Sequence, residues 1–175
     1  MSTTPKSNLT PSVSGSLLTK LQDKIDIKFK DPNLLKNAFI HRSYLNEHKN
    51  FTGSSNERLE FLGDAVLSIV VSTHLFSKLP KSPEGELTQL RAALVRTETL
   101  AKLAKKLTLG TYLFLSKGEE DSGGRDNDSI LANTFEALVG AIYLDQGLTS
   151  SEKFLSANVL KDWKELASSA VEDYK

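Results

Sequence analysis

The feature that most constrains the fold is the long segment from Asn56 to Leu79, which reads AVLSIVV through its middle. In a helix, a nearly continuous apolar run places hydrophobic side chains on every face, which is typical of a helix buried within a fold. We therefore expect a central helix here, with Asn56 as its N-cap and with Pro80 and Pro83 beyond its end.

Most of the remaining chain beyond Ser16 also shows helical periodicity. Capping residues, prolines and glycines divide the pattern into helical segments at about 16–25, 31–39, 56–79, 83–107, 129–145 and from 149 onward. Only residues 112–115 resemble a short strand, and the acidic, glycine-rich stretch 116–128 is expected to be a loop. The sequence therefore predicts an all-α fold.

Length and composition narrow the class of protein further. A chain of 175 residues fits one domain, and the absence of cysteine excludes a disulfide scaffold, a thiolate zinc site and a cysteine nucleophile. The apolar runs are shorter than a membrane helix requires, so we expect no membrane partner. Half of residues 1–16 are Ser or Thr, a composition that predicts a disordered arm. The same residues lack the features of a signal or transit peptide, so we expect a cytoplasmic protein.

Three carboxylates occupy the first two turns of the central helix: Glu57, Glu60 and Asp64. Spacings of three and four residues place them on one side of the helix. Acids near a helix N-terminus are commonly solvated, because the helix dipole favours negative charge there, and Glu57 fits that explanation. Asp64 fits it poorly, because it lies two turns into the helix, directly before the apolar run.

A second apolar helix carries a single charge between residues 130 and 142, namely Glu136, with Asn133 one turn earlier on the same face. A buried Glu must be neutral, paired with a cation or bound to a metal ion. Two interpretations are open at this point. Glu136 is either a core residue paired with an arginine such as Arg91 or Arg96, or a metal ligand.

Two central helices that each supply oxygen ligands at helical spacing can build a metal site between them. None of the three histidines lies in either cluster, so the donors would be oxygens, which suit Mg²⁺ or Mn²⁺ rather than zinc, copper or di-iron. Mg²⁺ held by a few carboxylates is a common arrangement for phosphate chemistry. The pattern thus predicts an oxygen-liganded site for such an ion.

Several blocks of this sequence resemble the endonuclease domain of the ribonuclease III family. They are NERLEFLGDAVL at 56–67, HRSY at 41–44, LRAALV at 90–95 and SILANTFEAL at 129–138. The resemblance covers residues 17–170, with the blocks in the family's order. It implies an all-helical homodimer that cuts double-stranded RNA with Mg²⁺, with Mn²⁺ able to substitute and without an organic cofactor. The products would carry 5′-phosphate and 3′-hydroxyl ends with two-nucleotide 3′ overhangs, as in RNA processing and rRNA maturation.

The family's motif also implies roles for individual residues. The metal ligands would be Glu60, Asp64, Asn133 and Glu136. The catalytic carboxylates would be Asp64, Glu136 and Glu57, with Glu57 as an accessory acid near the scissile phosphate. Phe61 matches an aromatic residue of the dimer interface that enters a socket on the partner, whereas the HRSY block is expected to provide packing support.

The chain departs from the family's pattern at Asn133, where the motif usually has an aspartate. An amide oxygen can coordinate Mg²⁺ but brings no negative charge, and at an effective dielectric near 20 one charge at about 4 Å is worth roughly 4 kcal/mol at most. We expect weaker metal binding with the fold intact, unless an acid such as Asp126 or Asp128 compensates. The alternative function is a catalytically impaired relative that binds structured RNA without cutting it.

The end of the sequence, residues 171–175, resembles the start of a linker to the basic double-stranded-RNA-binding domain that many family members carry. Without that domain, the chain should bind RNA weakly and with a strong salt dependence. The formal net charge of zero, from 22 basic and 22 acidic residues, agrees with this expectation. It does not exclude RNA binding, because the acids are concentrated in segments 57–64 and 119–128, where divalent cations would reverse the local charge.

Overall fold

The computed structural model describes residues 15–166, with side chains from residue 17. Its α-helices in that range are α1 (Gly15–Ile25), α2 (Pro32–Asn37), α3 (Arg42–Glu47), α4 (Glu57–Lys78), α5 (Glu84–Val95), α6 (Thr97–Lys106), α7 (Lys117–Asp121), α8 (Asp128–Gln146) and α9 (Leu148–Leu155). Short 3₁₀ turns occur at Leu109–Tyr112 and Gly124–Asp126, and a π-helical turn at Ser156–Leu160. The prediction of an all-α fold is confirmed.

Two of the predicted segments fall at the ends of the chain. The predicted linker start at 171–175 lies outside the described residues, as does most of the predicted arm at 1–16. Helix α1 begins at Gly15, so it includes the last two residues of the predicted arm.

Helices α4 and α8 form the centre of the fold. Ten residues of α8 are buried, most of them aliphatic, and α8 packs against α4 on one side and α6 on another. Helix α5 packs on α4, and α9 packs on α8. The sequence predicts both central helices because their apolar runs are long and their ends are marked, by Pro80 after α4 and by Gly147 after α8.

The two central helices touch backbone to backbone at a pair of glycines. A Cβ on Gly63 would lie 1.7 Å from the carbonyl oxygen of Glu136, and a Cβ on Gly140 would lie 2.2 Å from the carbonyl oxygen of Leu59. Both distances are far inside van der Waals contact, and backbone atoms of packed helices cannot move aside cheaply. Only glycine therefore allows this approach, which places the acidic first turns of α4 against the middle of α8.

One face of α4 is exposed, which differs from the prediction of a helix buried on all sides. Phe61, Ile69 and Phe76 are 82%, 54% and 74% exposed. They lie about two helical turns apart and form a stripe along one side of the helix. By length and composition alone α4 could also cross a bilayer, but a core helix of a folded domain can meet the same two criteria. The opposite side of α4 packs on α5 and α8 within the core.

The structure divides the predicted helical segment 83–107 into α5 and α6. Arg96 separates them, with an extended backbone at ψ 156°. The predicted strand at 112–115 makes only one bridge, between Phe114 and Ile40. That bridge is the single β-type contact among residues 15–166.

The prediction of a loop at 116–128 was wrong for part of the segment, which contains α7 and a 3₁₀ turn. The Ser116 side chain caps α7 by accepting a hydrogen bond from the Glu119 amide at 3.0 Å. The Arg125 guanidinium donates to the carbonyl oxygens of Gly110 and Leu113, each at 2.9 Å, and to Glu120 at 2.7 Å. The local sequence of this glycine-rich segment predicts irregular structure, and these hydrogen bonds hold it in a defined conformation.

Replacing Gly63 with alanine should destabilise the protein by about 3 kcal/mol or more, because the added methyl group would collide with backbone that belongs to α8. Urea unfolding followed by circular dichroism measures the change. The matched control is Gly85→Ala on the exposed surface of α5, where a Cβ meets nothing within 4 Å. That control should be neutral or stabilise by about 0.5–1 kcal/mol. Equal stability of Gly63→Ala and the wild-type chain would contradict the account of the helix crossing.

Candidate active site

A cleft of about 550 Å³ opens beside the crossing of α4 and α8. It is lined by side chains from the start of α4, from one face of α8 and from the start of α3. The lining residues are His41, Arg42, Asn56, Glu57, Glu60, Phe61, Asp64, Ser129, Ile130, Asn133 and Glu136. The structure thus brings into one cleft all the residues that the sequence analysis assigns as metal ligands or catalytic carboxylates.

The predicted burial of the α8 residues was only partly right. Asn133 is exposed and Glu136 is half-buried, because both point into the open cleft while their neighbours Ala132, Phe135 and Ala137 point into the core. Asp64 is also exposed, on the cleft side of α4. The polar side chains therefore interrupt the apolar pattern where the two helices border the cleft.

Burial and like charges raise the pKa of two carboxyl groups in the cleft. The pKa of Glu136 is raised to about 7, first by burial and then by the charges of Asp64 and Glu60. The pKa of Glu60 is also raised, by burial and by the charges of Glu57 and Asp64. The cause is geometric, because carboxylates of α4 and α8 line one cleft and their like charges disfavour ionisation.

The alternative interpretation of Glu136 as a core residue paired with arginine is not supported. Arg91 donates to the Ser72 hydroxyl at 3.2 Å, and the Arg96 Nε lies 3.7 Å from a carboxylate oxygen of Glu98. Within the described range, residues 15–166, Glu136 forms no ion pair. Protonation, at a pKa of about 7, therefore takes the place of a cationic partner for this carboxyl group.

The donor set of the cleft fits a hard divalent cation. Three carboxylates and one amide supply oxygen donors, and their mutual repulsion would fall if positive charge entered. Among the residues that the structure describes, no three His, Cys, Asp or Glu side chains converge closely enough to form a ready ligand cluster. Ion binding would therefore need side-chain rotations, for which the open cleft leaves room.

In the described part of the chain, neither of the two candidate acids replaces the charge that Asn133 lacks. Asp128 accepts a bond from Lys105 at 2.6 Å, outside the cleft. Asp126 lines a different pocket, next to Gly110. The possibility that either residue compensates for the amide is therefore not supported by the structure.

Sequence reasoning missed two cleft residues, His41 and Arg42, which were expected to give packing support only. Tyr44 of the same block does pack, against His48, Phe51 and Phe114. Helical spacing relates residues within α4 or within α8, so it cannot predict that a residue of another segment lines the same cleft. The one sequence feature that could have indicated Arg42 is its position in the HRSY block.

Asn56 has a role different from the predicted one. It occupies the N-cap position of α4, but its side chain caps nothing there. Instead its Nδ2 donates to the Ala38 carbonyl at 3.0 Å, and its backbone N donates to the Ile40 carbonyl at 2.8 Å. Asn56 is buried and ties the segment before α3 to the start of α4, which forms one wall of the cleft.

Glu136 should make stability depend on pH when no metal is present. Its pKa is about 7 in the folded chain against an ordinary 4.5, so the folded state holds an extra proton between these values. Stability should therefore fall by about 2 kcal/mol as pH rises from about 4.5 to 7, an amount reduced by the partial exposure of the side chain. Glu136→Gln should remove this loss, so the variant should exceed the wild type in stability at pH 8 and match it at pH 4.

Urea titrations at several pH values in EDTA measure this difference. The matched control is Glu152→Gln, an exposed position on α9 that does not line the cleft. If the stability of Glu136→Gln depended on pH in the same way as that of the wild type, the raised pKa could not belong to Glu136.

Known proteins resemble this chain in both sequence and fold. A family model described as Ribonuclease-III-like matches residues 31–163. Ribonuclease 3 of Enterococcus faecalis is 51% identical over 143 residues, and ribonuclease 3 of Bacillus cereus is 51% identical over 154 residues. These alignments cover 82% and 88% of this chain but only 62% and 63% of those proteins.

A solved structure of the ribonuclease III nuclease domain from Campylobacter jejuni superposes with a TM-score of 0.76 at 42% identity. The match covers 82% of this chain and 96% of that one. The likeness therefore includes both the sequence and the helical arrangement that forms the cleft. On these grounds the chain belongs to the ribonuclease III family.

Proposed function

We propose that this chain is the nuclease domain of an endoribonuclease that cuts double-stranded RNA with Mg²⁺. The products would carry 5′-phosphate and 3′-hydroxyl ends with two-nucleotide 3′ overhangs. The observation that carries the proposal is the set of oxygen donors from α4 and α8 in one cleft, where like charges raise the pKa of Glu136 to about 7. The proposed substrates are structured RNA precursors in the cytoplasm, including those of rRNA.

The cleft residues would have different roles in the reaction. Glu60, Asp64, Asn133 and Glu136 would hold the metal, which when bound neutralises phosphate charge and activates water. Glu136 would release its proton near neutral pH as positive charge enters the cleft, because the repulsion that holds the proton is then relieved. Glu57 lies at the mouth, where its Oε2 accepts a bond from the Ser55 hydroxyl at 2.7 Å, so its carboxylate is oriented before substrate arrives.

The experiment that tests the proposal is incubation of the chain with end-labelled duplex RNA. Short products should form with Mg²⁺ or Mn²⁺ and be absent in EDTA, and single-stranded RNA and duplex DNA should be cut poorly. Sequencing of the ends would test the predicted phosphate, hydroxyl and overhang. Intact duplex RNA at saturating Mg²⁺ and Mn²⁺ would contradict the proposal for this chain.

A second candidate function is supported by Asn133. With an amide among the donors, and with neither Asp126 nor Asp128 among the described lining residues, the chain would bind duplex RNA and cut it slowly or not at all. Cleavage and binding measured on the same duplex separate the two functions, since the impaired relative binds the duplex without releasing products.

Restoring the charge at Asn133 should raise cleavage at low Mg²⁺. We expect Asn133→Asp to increase the rate at subsaturating Mg²⁺ by about tenfold or more, because each 1.4 kcal/mol of added attraction is worth a factor of ten. The matched control is Asn127→Asp, which adds the same charge at the exposed N-cap of α8, outside the cleft, and keeps a capping oxygen. Equal rates for Asn133→Asp and the wild type across all Mg²⁺ concentrations would disprove a role for this position in metal binding.

The exposed stripe on α4 supports a homodimer as part of the proposed function. Phe61 is 82% exposed and borders a groove of about 620 Å³, whose lining includes Leu34, Leu62 and Leu144. The Campylobacter jejuni nuclease domain is described as having a region involved in dimer formation. We propose that Phe61 of the partner subunit enters this groove and that the stripe is covered in the dimer.

Phe61→Ala should weaken the dimer with little change in the stability of the monomer, because the side chain is exposed there. We expect the dissociation constant to rise at least about thirtyfold, or 2 kcal/mol, as for a central aromatic residue of an interface. Analytical ultracentrifugation measures it, with Leu148→Ala on α9, another exposed apolar side chain, as the control. A wild-type chain that stays monomeric at about 100 μM would argue against a dimer.

A further inference from the structure

We infer that Arg42 is a substrate-binding residue, whose guanidinium binds a backbone phosphate of duplex RNA at the mouth of the cleft in exchange for its ion pair with Glu57. The inference rests on the proposed function, because it concerns the same cleft and the same substrate. It assigns a contact to a residue for which the motif offered only a packing role.

The charge distribution of the cleft makes Arg42 distinctive. Among the described residues that line the cleft, it is the one lysine or arginine, beside four carboxylates. A metal ion held by the ligands of α4 and α8 would offset part of their negative charge, which leaves Glu57 as the acid outside the ligand set. An incoming RNA backbone is polyanionic, and contacts to its phosphates are what fix its register on a protein. Arg42 is the side chain placed to make such a contact.

The backbone around Arg42 is held firmly by the structure. His41 donates its amide to the Phe114 carbonyl at 3.1 Å, and its Nδ1 lies 2.8 Å from the Ser43 hydroxyl. The Ser43 hydroxyl in turn accepts the amide of Ser116 at 3.0 Å. Together with the bonds from Asn56 to residues 38 and 40, these contacts fix the start of α3 against the cleft. The position of the Arg42 backbone is thus set before substrate binds.

The guanidinium itself is available for exchange. Its Nη1 lies 3.9 Å from Glu57 Oε1, which is beyond hydrogen-bond length, and the two side chains are 74% and 56% exposed. Exposed ion pairs of this kind contribute little to stability, so giving one up costs little. A phosphate offers the planar guanidinium two parallel hydrogen bonds. Glu57 would keep its bond from Ser55 after Arg42 leaves it.

The test compares Arg42→Ala, Arg42→Lys and the wild type in duplex-RNA cleavage with Mg²⁺, and in binding of a fluorescent duplex RNA with Ca²⁺, over a range of NaCl. We expect Arg42→Ala to raise KM and the dissociation constant about tenfold, with kcat changed much less. The plot of log affinity against log salt concentration should become less steep, by about one unit of slope for each cleft that contacts the RNA. Arg42→Lys should keep the salt slope and recover part of the affinity, because lysine keeps the charge but loses the planar fork.

Two controls exclude indirect effects. Lys81→Ala removes an exposed charge beyond the opposite end of α4 and should leave KM and the salt slope unchanged. Arg42→Ala combined with Glu57→Gln distinguishes direct phosphate binding from an effect transmitted through Glu57. We expect the loss caused by Arg42→Ala to persist in the Glu57→Gln background, and its disappearance there would overturn the inference.

The outcomes also separate this inference from the proposed function. If the wild type cuts duplex RNA while Arg42→Ala shows wild-type KM and salt slope, the inference fails and the proposed function stands. If the wild type neither binds nor cuts duplex RNA with any divalent cation, both fail. Equal melting temperatures of the variants would show that the exposed side chain acts on substrate and not on folding.

Discussion

The backbone contact between α4 and α8 at Gly63 and Gly140 is the constraint on which the cleft depends. Gly63 directly precedes Asp64 and lies three residues after Glu60, while Gly140 lies one turn after Glu136. The closest approach of the helices therefore falls within one turn of three carboxylates, which leaves them facing one another where the helices border the cleft. A larger residue at either glycine would separate the helices and disperse the oxygen donors.

This helix crossing brings carboxylates of α4 and α8 close together, and their mutual repulsion destabilises the fold. The extensive apolar packing of α8 allows the fold to tolerate the raised pKa of Glu136 and of Glu60. Several acids and bases elsewhere on the surface are paired, as in Lys105 with Asp128 and Arg125 with Glu120. The zero net charge thus conceals an acidic cleft, in which Arg42 is the one lysine or arginine among the described lining residues.

Sequence patterns predict the elements that depend on local chemistry. The cap of α2 is an example, since Asp31 accepts the Asn33 amide at 2.9 Å, as is typical of an aspartate before a proline at the first helical position. The pattern does not predict features that depend on distant partners. The break at Arg96 has no glycine or proline to mark it, and α7 is held in place by bonds from Arg125 to a remote turn. Spacing predicts which face of α8 carries Asn133, but its exposure depends on the neighbouring cleft.

The most direct test of the central claim is anomalous diffraction from crystals of this chain soaked with Mn²⁺. The account predicts an ion between α4 and α8, coordinated by oxygens of Glu60, Asp64 and Glu136 with the amide oxygen of Asn133 nearby. With Mg²⁺ in its place, the oxygen distances should be about 2.0–2.1 Å. A fully ordered cleft with no anomalous peak at saturating Mn²⁺, or a peak bound only elsewhere, would contradict the claim that the helix crossing builds a metal site.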